Sequence, residues 1–144
     1  MFVFQLRQAH PRAQGDIGEA AAVEWLVRAG YRAWLPFGHS PDVDLIAEQG
    51  DVLLRVQVKT STFQRNGRFE VHLVTNGGNQ SWSRVSKFFS AARCDYLFVL
   101  TADERKWFIP AAAVGGRRQI LLGGPKYAEF EVDNPSSRPQ LFAL

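Results

Sequence analysis

Between residues 15 and 30 the stretch GDIGEAAAVEWLVRAG spaces its apolar side chains three and four apart, which predicts a helix. At 100° per residue Ala22, Val23, Leu26 and Val27 form its apolar stripe, with Glu24 and Arg28 opposite. Gly15 and Gly18 stand at its entrance, and Gly30 at the position of a left-handed cap. After the helix the period shortens to two. YRAWLPF predicts a short strand ending at Pro36, and DVDLIAE and DVLLRVQVKTS predict two strands joined by a tight turn at Gln49-Gly50. RFEVHLVT (68–75) alternates as the next strand, and NGGNQSWSRVSKFF reads as a polar loop with one helical turn near its end. CDYLFVLT is apolar enough to be a buried strand, with KWFIP pairing back on it after the ADER turn. AAAV predicts a helical turn, RRQILL and AEFEV two marginal strands, and NPSSRPQ a loose tail. The fold class is α/β, with a central mixed, mostly antiparallel sheet flanked by helices.

Two features break the pattern. Glu19 falls in the middle of the apolar stripe, one turn before Val23, where a carboxylate is costly unless cations or donors meet it. Either it closes a capping box with Asp16 as N-cap, or it faces something positive on the sheet. The second feature is the hairpin of residues 41–61, PDVDLIAEQGDVLLRVQVKTS. Val52, Leu54, Val56 and Val58 share one face of its second strand, and Leu53, Arg55, Gln57 and Lys59 the other. A turn centred on Gln49-Gly50 sets Asp42 opposite Gln57 and Asp44 opposite Arg55. A bulge or a longer loop brings Asp44 level with Gln57 instead. In either register an aspartate, an amide and an ammonium gather at one end of the hairpin. A carboxylate, a second oxygen ligand and a lysine on adjoining strands suit a hard cation such as Mg²⁺. Such an ion binds phosphate oxygens and acidifies a bound water, while the lysine orients that water or neutralises the pentavalent phosphate. The chemistry these groups suit is phosphodiester hydrolysis.

Composition narrows the classes. The 144 residues predict one domain over 1–144, and 46% hydrophobic residues argue against disorder. A formal charge of +3 permits a nucleic-acid partner without demanding one. The single Cys94 excludes an intrachain disulfide and a CxxC metal site, and its apolar surroundings predict a buried free thiol. No stretch approaches the roughly 20 apolar residues of a membrane span. MFVFQLRQAHPRAQ lacks the apolar core of a signal peptide, so the expected compartment is the cytoplasm.

Taken together, Glu19, Asp44 and Gln57-Val58-Lys59 resemble the pattern of the PD-(D/E)XK nuclease superfamily: a helix Glu, an Asp at a strand start and (D/E)xK on the next strand. GDIGE, DLI and RVQVKTS resemble the group I intron-associated branch of homing endonucleases, as do CDYLFVL and KWFIPAAAV, over residues 15–114. The resemblance implies a restriction-endonuclease-like core and a metal-dependent DNA endonuclease. Glu19, Asp44 and Gln57 would hold Mg²⁺, with Mn²⁺ able to substitute, and Lys59 would assist the attacking water. It favours Asp44, which directly precedes Leu45-Ile46, over Asp42. Gln57 departs from the superfamily's acidic residue, leaving one negative charge fewer, yet the intron-associated branch resembles this chain in carrying it. Members of this size reach long targets as dimers or tetramers, and a monomer cuts one strand per site. A junction-resolving or repair nuclease is the alternative within the class. A nuclease-like module that binds nucleic acid without turnover is the alternative outside it.

Double-stranded DNA needs cations and donors beside the cut phosphate. Thr60, Ser61, Gln64, Arg65 and Arg68 follow Lys59, and Asn79, Gln80, Arg84 and Lys87 lie in the second polar stretch; Arg117-Arg118 is a weaker candidate. His39 is near enough in sequence for proton transfer but also reads as a turn histidine. Trp34, Trp82 and Trp107 read as core or rim packing.

Overall fold

The computed structural model describes residues 5–75 and 87–132. Helix α1 (Pro11–Arg28) begins before Gly15, because His10 serves as N-cap and Pro11 takes the first helical position, where its missing N–H costs nothing. Gly15, Asp16 and Gly18 are therefore interior helix residues, and the capping box is ruled out. At the other end Gly30 has φ 94°, and its N–H and that of Tyr31 reach back to Val27 and Leu26, closing the helix as expected. The buried stripe is Gly18, Ala22 and Leu26; Val27, expected within it, is exposed.

Six strands make the main sheet, in the order β1 (Arg32–Trp34), β2 (Leu45–Gln49), β3 (Val52–Ser61), β8 (Tyr96–Thr101), β9 (Lys106–Pro110) and β11 (Glu131–Val132). β3 and β8 are parallel and every other pair is antiparallel, as the sequence predicts. The chain segment between β3 and β8 supplies two strands of a second sheet, in which β5 (Arg68–His72) lies between β4 (Gln64–Arg65) and β10 (Gln119–Leu122), which comes from after β9. The predicted strand 68–75 breaks at Leu73; β6 (Val74–Thr75) pairs with β7 (Lys87–Phe88). Among the described residues α1 is the single α-helix, so the flanking layers are one helix and one small sheet. AAAV forms the expected helical turn, as a 3-10 helix over Ala111–Ala113. The expected tail NPSSRPQ lies outside the described residues apart from its approach at Val132.

Alternation along the strands separates two cores. Leu45, Ala47, Val56, Phe98 and Leu100 meet Ala22 and Leu26 on the α1 side. Leu97, Val99, Trp107 and Ile109 meet Val71, Ile120 and Leu122 on the other. Cys94 is buried in the second core, and burial pushes its thiol up, as a structural cysteine requires.

The start of β8 is secured by one side chain. The Asp95 carboxylate accepts the Arg55 backbone N–H at 2.8 Å and its guanidinium Nε and Nη2 at 3.1 Å each. Arg55 also donates to the carbonyls of Ala91 and Ala92. The hydrogen bonds from Arg55 hold Asp95 below the usual carboxylate range. A carboxyl group whose pKa is lowered on folding stabilises above its unfolded value and loses that contribution as pH falls through the folded one. Asp95→Asn is therefore expected to melt below wild type at neutral pH. The gap should close as pH drops below about 4, read by thermal unfolding across pH; a gap independent of pH would contradict this.

Candidate active site

β2 and β3 diverge at one end, and Asp44 stands at the divergence. The turn between them falls at Gly50-Asp51, one residue later than expected, so Gln49 pairs with Val52 and Leu45 with Val56. That register excludes the pairing of Asp44 with Arg55 and leaves Asp44 just past the last ladder pair, on the Gln57 side of it and with a bulge, the second of the two arrangements the sequence permits. The Asp44 N–H donates to the Val56 carbonyl at 2.9 Å, although Val56 is already opposite Leu45. Two residues thus address one, as in a bulge. The Val58 N–H points the same way as that carbonyl, toward a strand that has ended. Its acceptor is the Asp44 side chain, Oδ2 at 2.7 Å.

Lys59 and Gln57 follow on the face away from α1, level with the buried Val99 and Leu97 of β8. Glu19 comes from the opposite side. α1 lies close on β3 there because Gly18 has no side chain: a Cβ would stand 2.6 Å from Thr60 Cγ2 and 3.3 Å from Val58 Cγ1. The next residue, Glu19, reaches the open end of the fork, half-buried and within the field of Asp44.

The electrostatics of the three groups agree with one another. Burial pushes the Asp44 carboxyl up, against the lowering effects of the Val58 N–H, Lys59 and His39. Glu19 is raised by burial, then by Asp44 and Asp16. Burial lowers Lys59, partly offset by Asp44. Each group is held in an environment that disfavours its own charge, and the neighbours present do not fully compensate. A divalent cation among hard oxygen donors would relieve the two carboxylates at once. Glu19, Asp44 and the Gln57 amide oxygen fit such an ion in donor chemistry. Among the described residues no three His, Cys, Asp or Glu side chains cluster for a metal.

The remaining candidates divide. Asp42 is half-buried and away from this hydrogen bonding. Ser61, expected to face nucleic acid, is buried; its hydroxyl donates to the Glu70 carbonyl at 2.5 Å and ties β3 to the second sheet. Thr60 lies under Gly18 of the helix. Arg65 is exposed but has Nε 3.2 Å from Glu70 Oε2. Arg68 is exposed, with its guanidinium lying over Gly124, and Gln64 is exposed on β4. Arg117 and Arg118 are exposed. Asn79, Gln80, Trp82 and Arg84 lie outside the described residues, as does the side chain of Lys87. His39 is exposed on the loop before Asp44 and adds to its positive field. Trp107 is core, while Trp34 sits on the rim with Nε1 2.6 Å from Glu48. Reading the sequence missed the Arg55–Asp95 clasp, because nothing in ARCDYLFVL separates a ladder-capping aspartate from a turn residue.

A mixed sheet backed by one helix, with a carboxylate at the fork and a lysine two residues beyond the paired amide, is a restriction-endonuclease-like fold. The family model described as PD-(D/E)XK endonuclease matches residues 9–122, beyond the expected 15–114 at both ends, and the chain belongs to that family. Over 58 residues it is 45% identical to UPF0102 protein STH1475 of Symbiobacterium thermophilum, a match covering 39% of this chain and 49% of that protein. The match thus spans about half the length of that curated relative. Among solved structures the bacterial homing endonuclease I-Ssp6803I shares the fold, with TM-score 0.69 and 21% identity over 92% of this chain and 86% of that one. No described helix is long and apolar enough to cross a membrane.

The site makes a binding prediction that separates the two aspartates. Mn²⁺ or Mg²⁺ should raise the melting temperature of wild type and of Asp42→Ala, by about 2.7 kcal/mol of stability at 100 times Kd. Asp44→Ala should show no such rise. Equal responses of Asp42→Ala and Asp44→Ala in differential scanning calorimetry would remove Asp44 from the cation site.

Proposed function

We propose that this protein is a divalent-metal-dependent DNA endonuclease that hydrolyses phosphodiester bonds at the β2–β3 fork. The observation that carries the reading is the contrast between its two ladder-capping aspartates. Asp95 caps a strand N–H and is neutralised by Arg55, whereas Asp44 caps one and remains destabilised in its charged form. A carboxylate kept in that condition, beside a lysine and at an opening in the sheet, is a candidate functional group.

Glu19, Asp44 and Gln57 would hold the cation, Mg²⁺ or in its place Mn²⁺. When bound, it supplies Lewis-acid stabilisation of the phosphate and a more acidic water. The chain's own part is positional. The Val58 N–H fixes the Asp44 carboxylate, and the rigid β3–β8 pairing fixes Gln57 and Lys59 beside it. The Lys59 ammonium donates to the attacking water or to the non-bridging oxygen on which charge accumulates. Its lowered pKa makes it readier to give up a proton than an exposed lysine. Glu19, entering from the helix side, carries the neutralisation that the amide of Gln57 does not. Cutting both strands of a duplex requires two such sites, so the active form is a dimer or tetramer. Homing-type and junction-resolving or repair substrates would share this chemistry and differ in loops and assembly.

Gln57 favours one second reading, a nuclease-like module that binds nucleic acid without cutting it. Cleavage of supercoiled plasmid and of a four-way junction, with Mg²⁺ or Mn²⁺, decides between them. Lys59→Ala should lose at least about 100-fold in rate while folding and DNA binding persist, and Gln57→Glu should keep part of the activity. Cleavage by Lys59→Ala at the wild-type rate would refute the mechanism. DNA binding by wild type without metal-dependent cleavage of either substrate would favour the module.

A further inference from the structure

The strand end beside Asp44 carries a side chain that the catalytic reading does not use. In the pairing of β1 with β2, Arg32 is opposite Glu48 and Trp34 opposite Ile46. That pairing ends at Trp34, two residues short of Asp44 on β2's side, and Phe37 lies on the loop that leaves β1 there and carries His39 toward Asp44. Phe37 is fully exposed at 109%, and Leu35 is 64% exposed beside it. β1 and β3 both run antiparallel to β2, so they end on the same side of the sheet. Phe63, 61% exposed, leaves β3 at that same end.

A single exposed phenyl is ordinary on a protein surface. This one is placed differently. Trp34 is engaged through its indole N–H with Glu48, whereas Phe37 projects from a loop restricted by Pro36 and Pro41. The same loop brings His39 into the field of Asp44, so one segment presents both a phenyl and a basic group to the fork. Any phosphate seated between Asp44 and Lys59 brings its nucleoside to these strand ends. A second protein subunit docked on Phe37 would instead cover the fork and close it to substrate.

We propose that Phe37 stacks on an unstacked base next to the cleaved phosphodiester, which makes the substrate class DNA interrupted or branched at the cut. This rests on the nuclease reading and names its specificity-determining residue. In continuous duplex each base is already stacked on its neighbours and offers the phenyl no face. At a fork, flap or junction the first unpaired base does. The interaction is indifferent to base identity, because every base has a π-face.

The test uses the full chain with Lys59→Ala as the uncut background. The probes are a forked duplex carrying 2-aminopurine as its first unpaired base and a continuous duplex of the same sequence. Adding Phe37→Ala should weaken fork binding by about 5- to 100-fold, the range of one base–aromatic stack, and abolish the 2-aminopurine fluorescence change. Duplex affinity should stay within about twofold, since no stack is lost there, and Phe37→Trp should behave as the parent. Equal weakening on both probes, or no effect on the fork, would overturn the proposal. So would a fall in oligomer mass for Phe37→Ala in analytical ultracentrifugation, which would make Phe37 part of a self-association surface. If the chain with Lys59 intact cuts neither probe with Mg²⁺ or Mn²⁺ while fork binding still depends on Phe37, the nuclease reading fails and the stacking site stands.

Discussion

The hydrogen bond from the Val58 N–H to the Asp44 carboxylate holds the site together, because it lets β2 stop where it does. A strand that ends beside a longer neighbour leaves ladder groups without partners, and a buried unpaired N–H costs roughly 1–3 kcal/mol. Asp44 removes that cost with its side chain, and the two strands can part immediately beyond it. At the opening so created both the helix carboxylate Glu19 and the strand lysine Lys59 come within the field of Asp44. One group thereby does two things: it finishes the sheet on one side and presents a half-buried negative charge on the other. The same device appears across β3, where Asp95 finishes the β8 side and Arg55 cancels its charge. The two carboxylates cap alike and differ in what faces their charge: the Arg55 guanidinium bonds Asp95, whereas burial outweighs the Val58 N–H, Lys59 and His39 at Asp44.

The helix completes the arrangement from the other face. α1 packs on β3 through Gly18, with Ala22 and Leu26 continuing the buried stripe, so Glu19 follows directly from the closest approach. A larger residue at Gly18 would lift the helix off Thr60 and withdraw Glu19 from the fork. The second sheet secures the opposite face, where Ser61 bonds to Glu70 just beyond Lys59. Metal-ligand candidates and lysine therefore stand on three elements that pack against one another. Catalysis by positioning demands that rigidity.

Much of this architecture was legible in the residues. The shift from helical to alternating periodicity locates α1, the hairpin and the β8–β9 pair, and the even–odd division of β3 correctly separates Val56 and Val58 from Gln57 and Lys59. Glu19 was detectable because a charge in an apolar stripe conflicts with burial. What escaped was decided by single residues whose effects are tertiary. His10 and Pro11 move the helix start ahead of the glycines that seemed to open it. The one-residue placement of the turn at Gly50-Asp51 decides which aspartate stands at the end of the ladder and accepts the Val58 N–H, and local pattern does not fix it. Ser61 looked like a phosphate donor, but the strand order turns its hydroxyl toward a second sheet that periodicity alone does not reveal. The expected strand runs to Pro36, whereas β1 stops at Trp34 and Phe37 falls on the loop that carries His39 toward Asp44.

The proposed function stands on a cation site at the fork of Asp44, completed by Glu19 and Gln57. Anomalous X-ray scattering from crystals grown with Mn²⁺ tests it most directly. An anomalous peak is expected about 2.1 Å from the Asp44 carboxylate, with oxygens of Glu19 and Gln57 in the same coordination sphere. A peak only elsewhere on the molecule, or none at saturating Mn²⁺, would contradict it.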